Sequence, residues 1–535
     1  MTARVCSFAI SLSLVLAAGT KGPEPLFLTS DRCAACHNDL KTASGQDVSI
    51  GFDWRASIMA NSSRDPYWQA SVRRETLDHS SATSHIEDEC SGCHMPLTRY
   101  EAKVQGKPGQ VFAHLPFSAD AKDGRKAADG VDCSLCHQIS AAKLGTRESF
   151  NGGFELEPRT AASTAREIGP FKIDAGQARI MQSSTGAWEP TDQGSGHLRK
   201  SELCATCHTL ITTAFGPDGK PAGALPEQMP YKEWLNSDFK STKTCQDCHM
   251  TTVPEPAPIT RVFGVPRDGM KRHVFVAANF FMQRLLNRFR EELEVTALPQ
   301  ELTAAADYTV SYLKSEAARL AISGVESQDG RLSFDVRVEN LGGHKLPTAY
   351  PSRRAWLHVT VRDSGDRVVF ESGALRPDGS IEGNDNDADP ARFEPHYSEI
   401  NAADQVQVFE DILGDSKGQV TTGLLTAVRY LKDNRIPPKG FDKRSVDADV
   451  AVVGGALEDA DFSGGSDRVR YRVNLGDVRG PVKIDAELMY QPIGFRWANN
   501  LKAYGKAAEP RRFTGFYDAM AGSSAEVLAH ASASR

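Results

Sequence analysis

Cys33-Ala-Ala-Cys36-His37 is the first of five copies of one pattern, followed by Cys90-Ser-Gly-Cys93-His94, Cys133-Ser-Leu-Cys136-His137, Cys204-Ala-Thr-Cys207-His208 and Cys245-Gln-Asp-Cys248-His249. Two thiols about one helical turn apart can add to the two vinyl groups of one porphyrin, and the adjacent imidazole then reaches the iron. Cys-x-x-Cys-His therefore reads as a c-type haem attachment site. Its chance count in a chain of this composition is roughly 0.01, so five copies are no accident. Zinc ribbons and thioredoxin-like pairs also use Cys-x-x-Cys, but neither needs His after every second cysteine. The pattern predicts five covalent haem c groups, with His37, His94, His137, His208 and His249 as the proximal iron ligands.

The chain has 535 residues, 40% of them hydrophobic, which suits a soluble protein of two or three domains. Its formal net charge is -7, and the haem propionates would add to that acidity. The balance points to redox protein partners with a basic patch, and gives no reason to expect nucleic acid. Of eleven cysteines, ten lie in the motifs and the eleventh is Cys6, so none remains for a disulfide.

Residues 1–19 combine Arg4 with an apolar run through Phe8, Ile10, Leu12, Leu14, Val15 and Leu16, ending in Ala17-Ala18-Gly19. This is the pattern of a cleavable secretory signal, and the run is short of the ~20 residues a spanning helix needs. No later stretch is apolar enough to span a bilayer. Residues 25–275 carry all five motifs among many Gly, Pro, Asp and Ser, which predicts an α and loop-rich domain whose core is largely porphyrin. Short helices are predicted over Asp65 to Asp78 and Pro230 to Leu235.

Over 276–325 the spacing of Phe280, Phe281, Leu285, Leu286 and Phe289 predicts a helical connector, with a second helix from Glu301 to about Ala321. From Arg331 the period becomes two. Leu332, Phe334, Val336 and Val338 alternate with polar residues, as do Leu357, Val359 and Val361, then Val469, Tyr471 and Val473, then Val482, Ile484, Ala486 and Leu488. Residues 326–505 are predicted to form an immunoglobulin-like β-sandwich. The Ala- and Ser-rich 506–535 segment reads as a flexible tail.

Sixth ligands must come from histidines outside the motifs. By position the candidates are His79 or its neighbour His85 upstream of the second motif, His114 between the second and third, His197 before the fourth, and His273 after the fifth. His358 shares a strand with Leu357 and Val359 and should face away from the core, and His530 lies in the tail.

Cys90-Ser-Gly-Cys93-His94-Met95-Pro96 and Cys245-Gln-Asp-Cys248-His249-Met250 resemble the haem sites of multihaem cytochromes of the broad cytochrome c554 type. Asn340-Leu-Gly-Gly-His344-Lys-Leu-Pro347-Thr348 resembles a segment of such proteins that carry a C-terminal β domain. The resemblance implies maturation outside the cytoplasmic membrane, hence a periplasmic or extracellular site. It adds His344 as an axial ligand donated by the β domain, with His396 or Met59 as alternatives.

Together these features predict an electron carrier. One rival is a reductase or oxidase of nitrite, hydroxylamine or a sulfur oxyanion, with one open haem. Related pentahaem nitrite reductases end the catalytic motif in Lys, whereas all five motifs here end in His. A further rival is a structural unit of a haem filament or outer-surface complex, assembled with other cytochromes.

Overall fold

The computed structural model describes residues 26–157, 167–185, 196–216 and 218–535. The expected signal segment 1–19, with Cys6, lies outside them.

The motif-bearing half is built from short helices joined by long loops. Helix α1 (Pro66–Asp78) starts where Asp65 accepts hydrogen bonds from the backbone N–H groups of Tyr67 and Trp68 at 2.8 and 3.1 Å, with Pro66 in the first turn. Helix α2 (Thr83–His94) ends on the second motif, and α3 (Pro230–Leu235) lies between the fourth and fifth. A hairpin of β1 (Leu210–Phe215) and β2 (Pro221–Gln228) follows the fourth motif. The predicted helices at α1 and α3 are present with these bounds.

Helix α4 (Phe280–Arg288) is capped by Asn279 and buries Phe280, Phe281, Met282, Leu285 and Leu286. Helix α5 (Pro299–Glu316) stops short of the expected Ala321, because β3 (Ala318–Gln328) begins there and pairs antiparallel with β4 (Arg331–Asn340). Alternation at Leu320 and Ile322, satisfied by a partner strand, overrides helix propensity.

The second half contains β5 (Arg354–Asp363), β6 (Val368–Ser372), β7 (Glu399–Ile400), β8 (Val408–Phe409), β9 (Asp411–Gly414), β10 (Val420–Thr421), β11 (Arg429–Asp433), β12 (Ser466–Asn474) and β13 (Val482–Gln491). Helix α6 (Ala508–Asp518) and strand β14 (Glu526–Ser534) complete it. One sheet has the order β3-β4-β12-β7, another β14-β13-β5-β6 with β8 also on β5, and a small one β10-β9-β11. The two large sheets share one apolar core, in which Tyr471 of β12 stacks on Phe334 of β4 and meets Phe370 of β6 edge-on at 6.3 Å. Fully burying side chains of this size is worth about 1.5–3 kcal/mol each.

The 506–535 segment is not a loose tail. Glu509 of α6 pairs with Arg73 of α1 at 2.9 Å, Phe516 stacks on Phe289, and β14 runs antiparallel along β13 from Tyr490↔Glu526 to Lys483↔Ser534. Small residues read as mobile in isolation, but an unsatisfied strand edge supplies backbone partners that composition does not reveal. The two halves are also keyed together, since buried Glu75 of α1 accepts the backbone N–H groups of Leu424 and Leu425 at 2.8 and 3.2 Å. No helix among the described residues is long and apolar enough to cross a membrane.

Candidate haem-binding sites

Each motif sits on or at the end of a short helix, which turns its two thiols to one side. The helix of the third motif, Cys133–Cys136, is started by Asp132, which accepts from Leu135 N–H at 2.9 Å, and that of the fifth motif, Cys245–His249, by a reciprocal Thr244 and Asp247 capping box. No disulfide joins any of the ten motif cysteines.

Four of the five motif histidines donate Nδ1–H to a backbone carbonyl. His37 donates to Ile259 at 2.5 Å, His94 to Ser62 at 3.0 Å, His137 to Ile168 at 2.6 Å and His249 to Val276 at 2.5 Å. A carbonyl can only accept, so Nδ1 carries the proton and Nε2 presents its lone pair, as metal-ligating imidazoles do. His208 differs in bonding the side chain of Gln228, with Arg353 nearby. None of the fifteen motif side chains is fully closed to solvent, yet burial depresses every motif imidazole, His94 and His249 to about 4. Side chains that are desolvated and still accessible line interior clefts. A porphyrin, flat and apolar, fits such a lining.

The motifs form one connected set. Cys33 meets Cys133, Cys93 meets Cys207, and Cys204 meets Cys245, while Cys136 lies within electrostatic range of Cys207. The first motif thus adjoins the third, the third adjoins the fourth, and the second and fifth both adjoin the fourth.

Two predicted distal histidines face motif rings. His273 stands opposite His137 with ring centroids 6.4 Å apart and planes at 19°, and His344 stands opposite His249 at 6.1 Å and 18°. Two imidazoles bound on opposite sides of one metal at about 2 Å each would have centroids roughly 6 Å apart. Both distal candidates also donate Nδ1–H to a carbonyl, His273 to Lys271 at 3.1 Å and His344 to Lys345 at 3.0 Å, and burial lowers His273 to about 3.

The other candidates have different neighbours. His79 is buried beside Phe215, with Nε2 3.2 Å from the Thr426 hydroxyl and 3.9 Å from Glu75. His85 is exposed and 3.5 Å from Glu89. His114 ends a short 3₁₀ turn, half-buried, and burial lowers its pKa. His197 donates Nε2–H to the carbonyl of Ile139 at 2.8 Å. Met59 packs with Val131, Leu135 and Leu97. His396 is held at both nitrogens: Nδ1 accepts from Gln407 and Asn434 at 3.0 and 3.2 Å, so Nε2–H donates to Asp459 at 3.2 Å. With Asp467 these two residues form a close cluster in which His396 is satisfied by hydrogen bonds within the protein. As expected, His358 faces outward, between Glu487 and Glu371 at 3.0 and 2.9 Å.

Several features had no sequence signal. Trp68 stacks on His94 at 4.4 Å and 3°. Four carboxylates, Glu75, Glu87, Glu89 and Glu227, gather around Cys90, and burial raises Glu89 to about 7 and Glu227 to about 8. Glu227 accepts from Thr212 at 2.7 Å.

No protein-family model matches the chain, and no curated protein does. Among solved structures, a penta-heme cytochrome c552 from Thermochromatium tepidum matches with a TM-score of 0.54 and 16% sequence identity. The match covers 96% of this chain and 100% of that one, so the shared fold takes in both halves. The chain has the fold of a multihaem c-type cytochrome.

Proposed function

We propose that the chain is a five-haem electron relay, exported from the cytoplasm and working in the periplasm or outside the cell. The observation that carries this reading is the facing of His137 by His273 and of His249 by His344, within five Cys-x-x-Cys-His motifs that form one connected set. Haem c, when bound, would supply the one-electron chemistry. The cysteine pairs would fix each macrocycle, and the motif histidines would hold the proximal side, four of them with Nδ1–H locked on backbone carbonyls. His273 and His344 would close the distal side at the third and fifth motifs, leaving His79, His114 and His197 as the chain's candidates for the rest. Export is supported by the character of residues 1–19. The two-sheet domain, whose immunoglobulin-like character rests on strand number and patterning, ties the relay together and offers a surface to redox proteins or to other cytochromes.

Mass spectrometry of the matured protein should show five added haems, with a pyridine haemochrome assay in agreement. In electron paramagnetic resonance, His273→Ala and His344→Ala should each convert one low-spin haem to high-spin and leave the others unchanged. Three or fewer haems, or two variants with unaltered spin states, would overturn the reading.

A reductase reading has one observation in its favour. Glu89 and Glu227, raised by burial toward neutrality beside Cys90, could supply protons to a reduction of nitrite, hydroxylamine or a sulfur oxyanion at the second motif. Carbon monoxide binding to the reduced wild-type protein separates the two readings, because a relay with two protein ligands per iron resists it.

A further inference from the structure

The loop that carries His344 is anchored by a buried ionic network, and one of its members comes from the motif-bearing half. Glu233, on α3, is fully buried, and its Oε2 accepts the backbone N–H of Lys345 at 3.0 Å and the Thr348 hydroxyl at 2.5 Å. Its Oε1 has no hydrogen-bond partner among the described residues and lies 3.4 Å from the Arg435 guanidinium. Lys345 has no solvent exposure and pairs with Asp433 at 2.6 Å. Arg435 meets Asp433 at 2.6 Å and Asp411 at 3.3 Å. Two cations and three carboxylates are thereby withdrawn from water at one place. Such a cluster is a poor route to stability, since apolar residues of the same volume would serve as well, but it fixes position strictly.

What it fixes is the segment 340–348. Asn340 donates to the carbonyls of His344 and Ile436 at 2.7 and 2.9 Å and accepts from Gly342 N–H at 2.8 Å. A Cβ on Gly343 would meet Trp234 and Phe239 at 3.3 and 3.4 Å, so the loop lies directly on α3 and the turn after it. Lys345 and Thr348, on either side of the bend, are both held by Glu233. So held, the loop places the His344 ring over His249, with centroids 6.1 Å apart.

We infer that Glu233 is the positioning residue for the axial ligand at the fifth motif, a carboxylate of the motif-bearing half that clamps the β-domain loop so that His344 is preorganised opposite His249. This rests on His344 being that ligand. Without the clamp the loop has lost the two hydrogen bonds that bracket the bend, and Lys345 and Arg435 have lost an anion. His344 would then leave the iron for part of the time.

The test uses the full, haem-loaded protein. Glu233→Ala should convert one haem in five wholly or partly to high-spin and let the reduced protein bind carbon monoxide at that haem, and added imidazole should restore the low-spin signal. Glu233→Gln, which keeps an acceptor oxygen in place, should stay closer to wild type. Should Glu233→Ala fail to mature, Glu233→Asp, one methylene short, should bind carbon monoxide measurably faster than wild type. His344→Ala, run in parallel, separates the two ideas. If it leaves five low-spin haems, the ligand assignment is wrong. If it converts one haem while the folded Glu233→Ala and Glu233→Asp proteins match wild type in spin state and carbon monoxide binding, the clamp is overturned.

Discussion

The two halves of the molecule solve the problem of a core in different ways. In the β half, Phe334, Val336, Val338, Ile484, Ala486 and Leu488 are all shut off from solvent and belong to one continuous apolar cluster that also takes in α4 and α5. Among the described residues, the motif half lends Ala56, Tyr67, Ala70 and Met229 to that cluster and otherwise contributes seven, six and five buried residues to three separate ones, the first completed by Leu425 of the β half; two of the three have motif cysteines, Cys90 and Cys136, at their margins. Clusters of that size cannot offset the ordering entropy of so long a stretch by themselves. The difference fits the haem reading: the motif half has a core that flat apolar cofactors would complete, whereas the β half has an ordinary protein core that would hold the motif half in register.

The sharpest way to break that comparison is to withhold the cofactor. Protein made without haem attachment should lose most amide exchange protection over 26–275 and keep it in the strands of the β half. Equal protection in both halves would show that the motif half has a sufficient core of its own. A smaller effect in the opposite half comes from Phe334→Ala, which should cost about 3–5 kcal/mol in chemical denaturation while the haem spectra of the native protein stay unchanged. A simultaneous spectral change would mean that the halves are less separable than their cores suggest.

Next in size is Asp65→Ala, which removes the cap of α1 and should cost about 1 kcal/mol. Because α1 carries Trp68 onto His94, its spectral effect should be confined to the haem at the second motif. The smallest expected effect is a pH dependence in the β half. Burial lowers the His358 pKa, but Glu487 and Glu371 more than offset this, so it is raised on folding. Its stabilising contribution is complete below the unfolded value of about 6.5 and is lost as pH rises through the folded value. His358→Gln should flatten that part of the stability profile, and an unchanged profile would remove His358 as its source.

Much of this was legible in the chain. Asp65-Pro66 marks the start of α1, the alternation from Leu332 to Val338 marks a core strand, and the hydrophobic spacing from Phe280 marks α4. The candidates His273 and His344 could be named from position and resemblance. Their pairing with His137 and His249 could not, because each ring is brought in by a loop whose path depends on distant contacts. The same holds for Glu233, which looks like any surface carboxylate on a short helix until Lys345 and Thr348 close over it.

By itself, the sequence determined the local chemistry: five thiol pairs with their imidazoles, helix starts set by caps, and strand faces set by a period of two. These depend on neighbours a few residues apart. Tertiary structure decided where α5 stops, that 526–534 is a strand, and which histidine faces which. Each of those outcomes depends on a partner brought close by the fold: β4 for β3, β13 for β14, and an ionic network between α3 and the β half for His344.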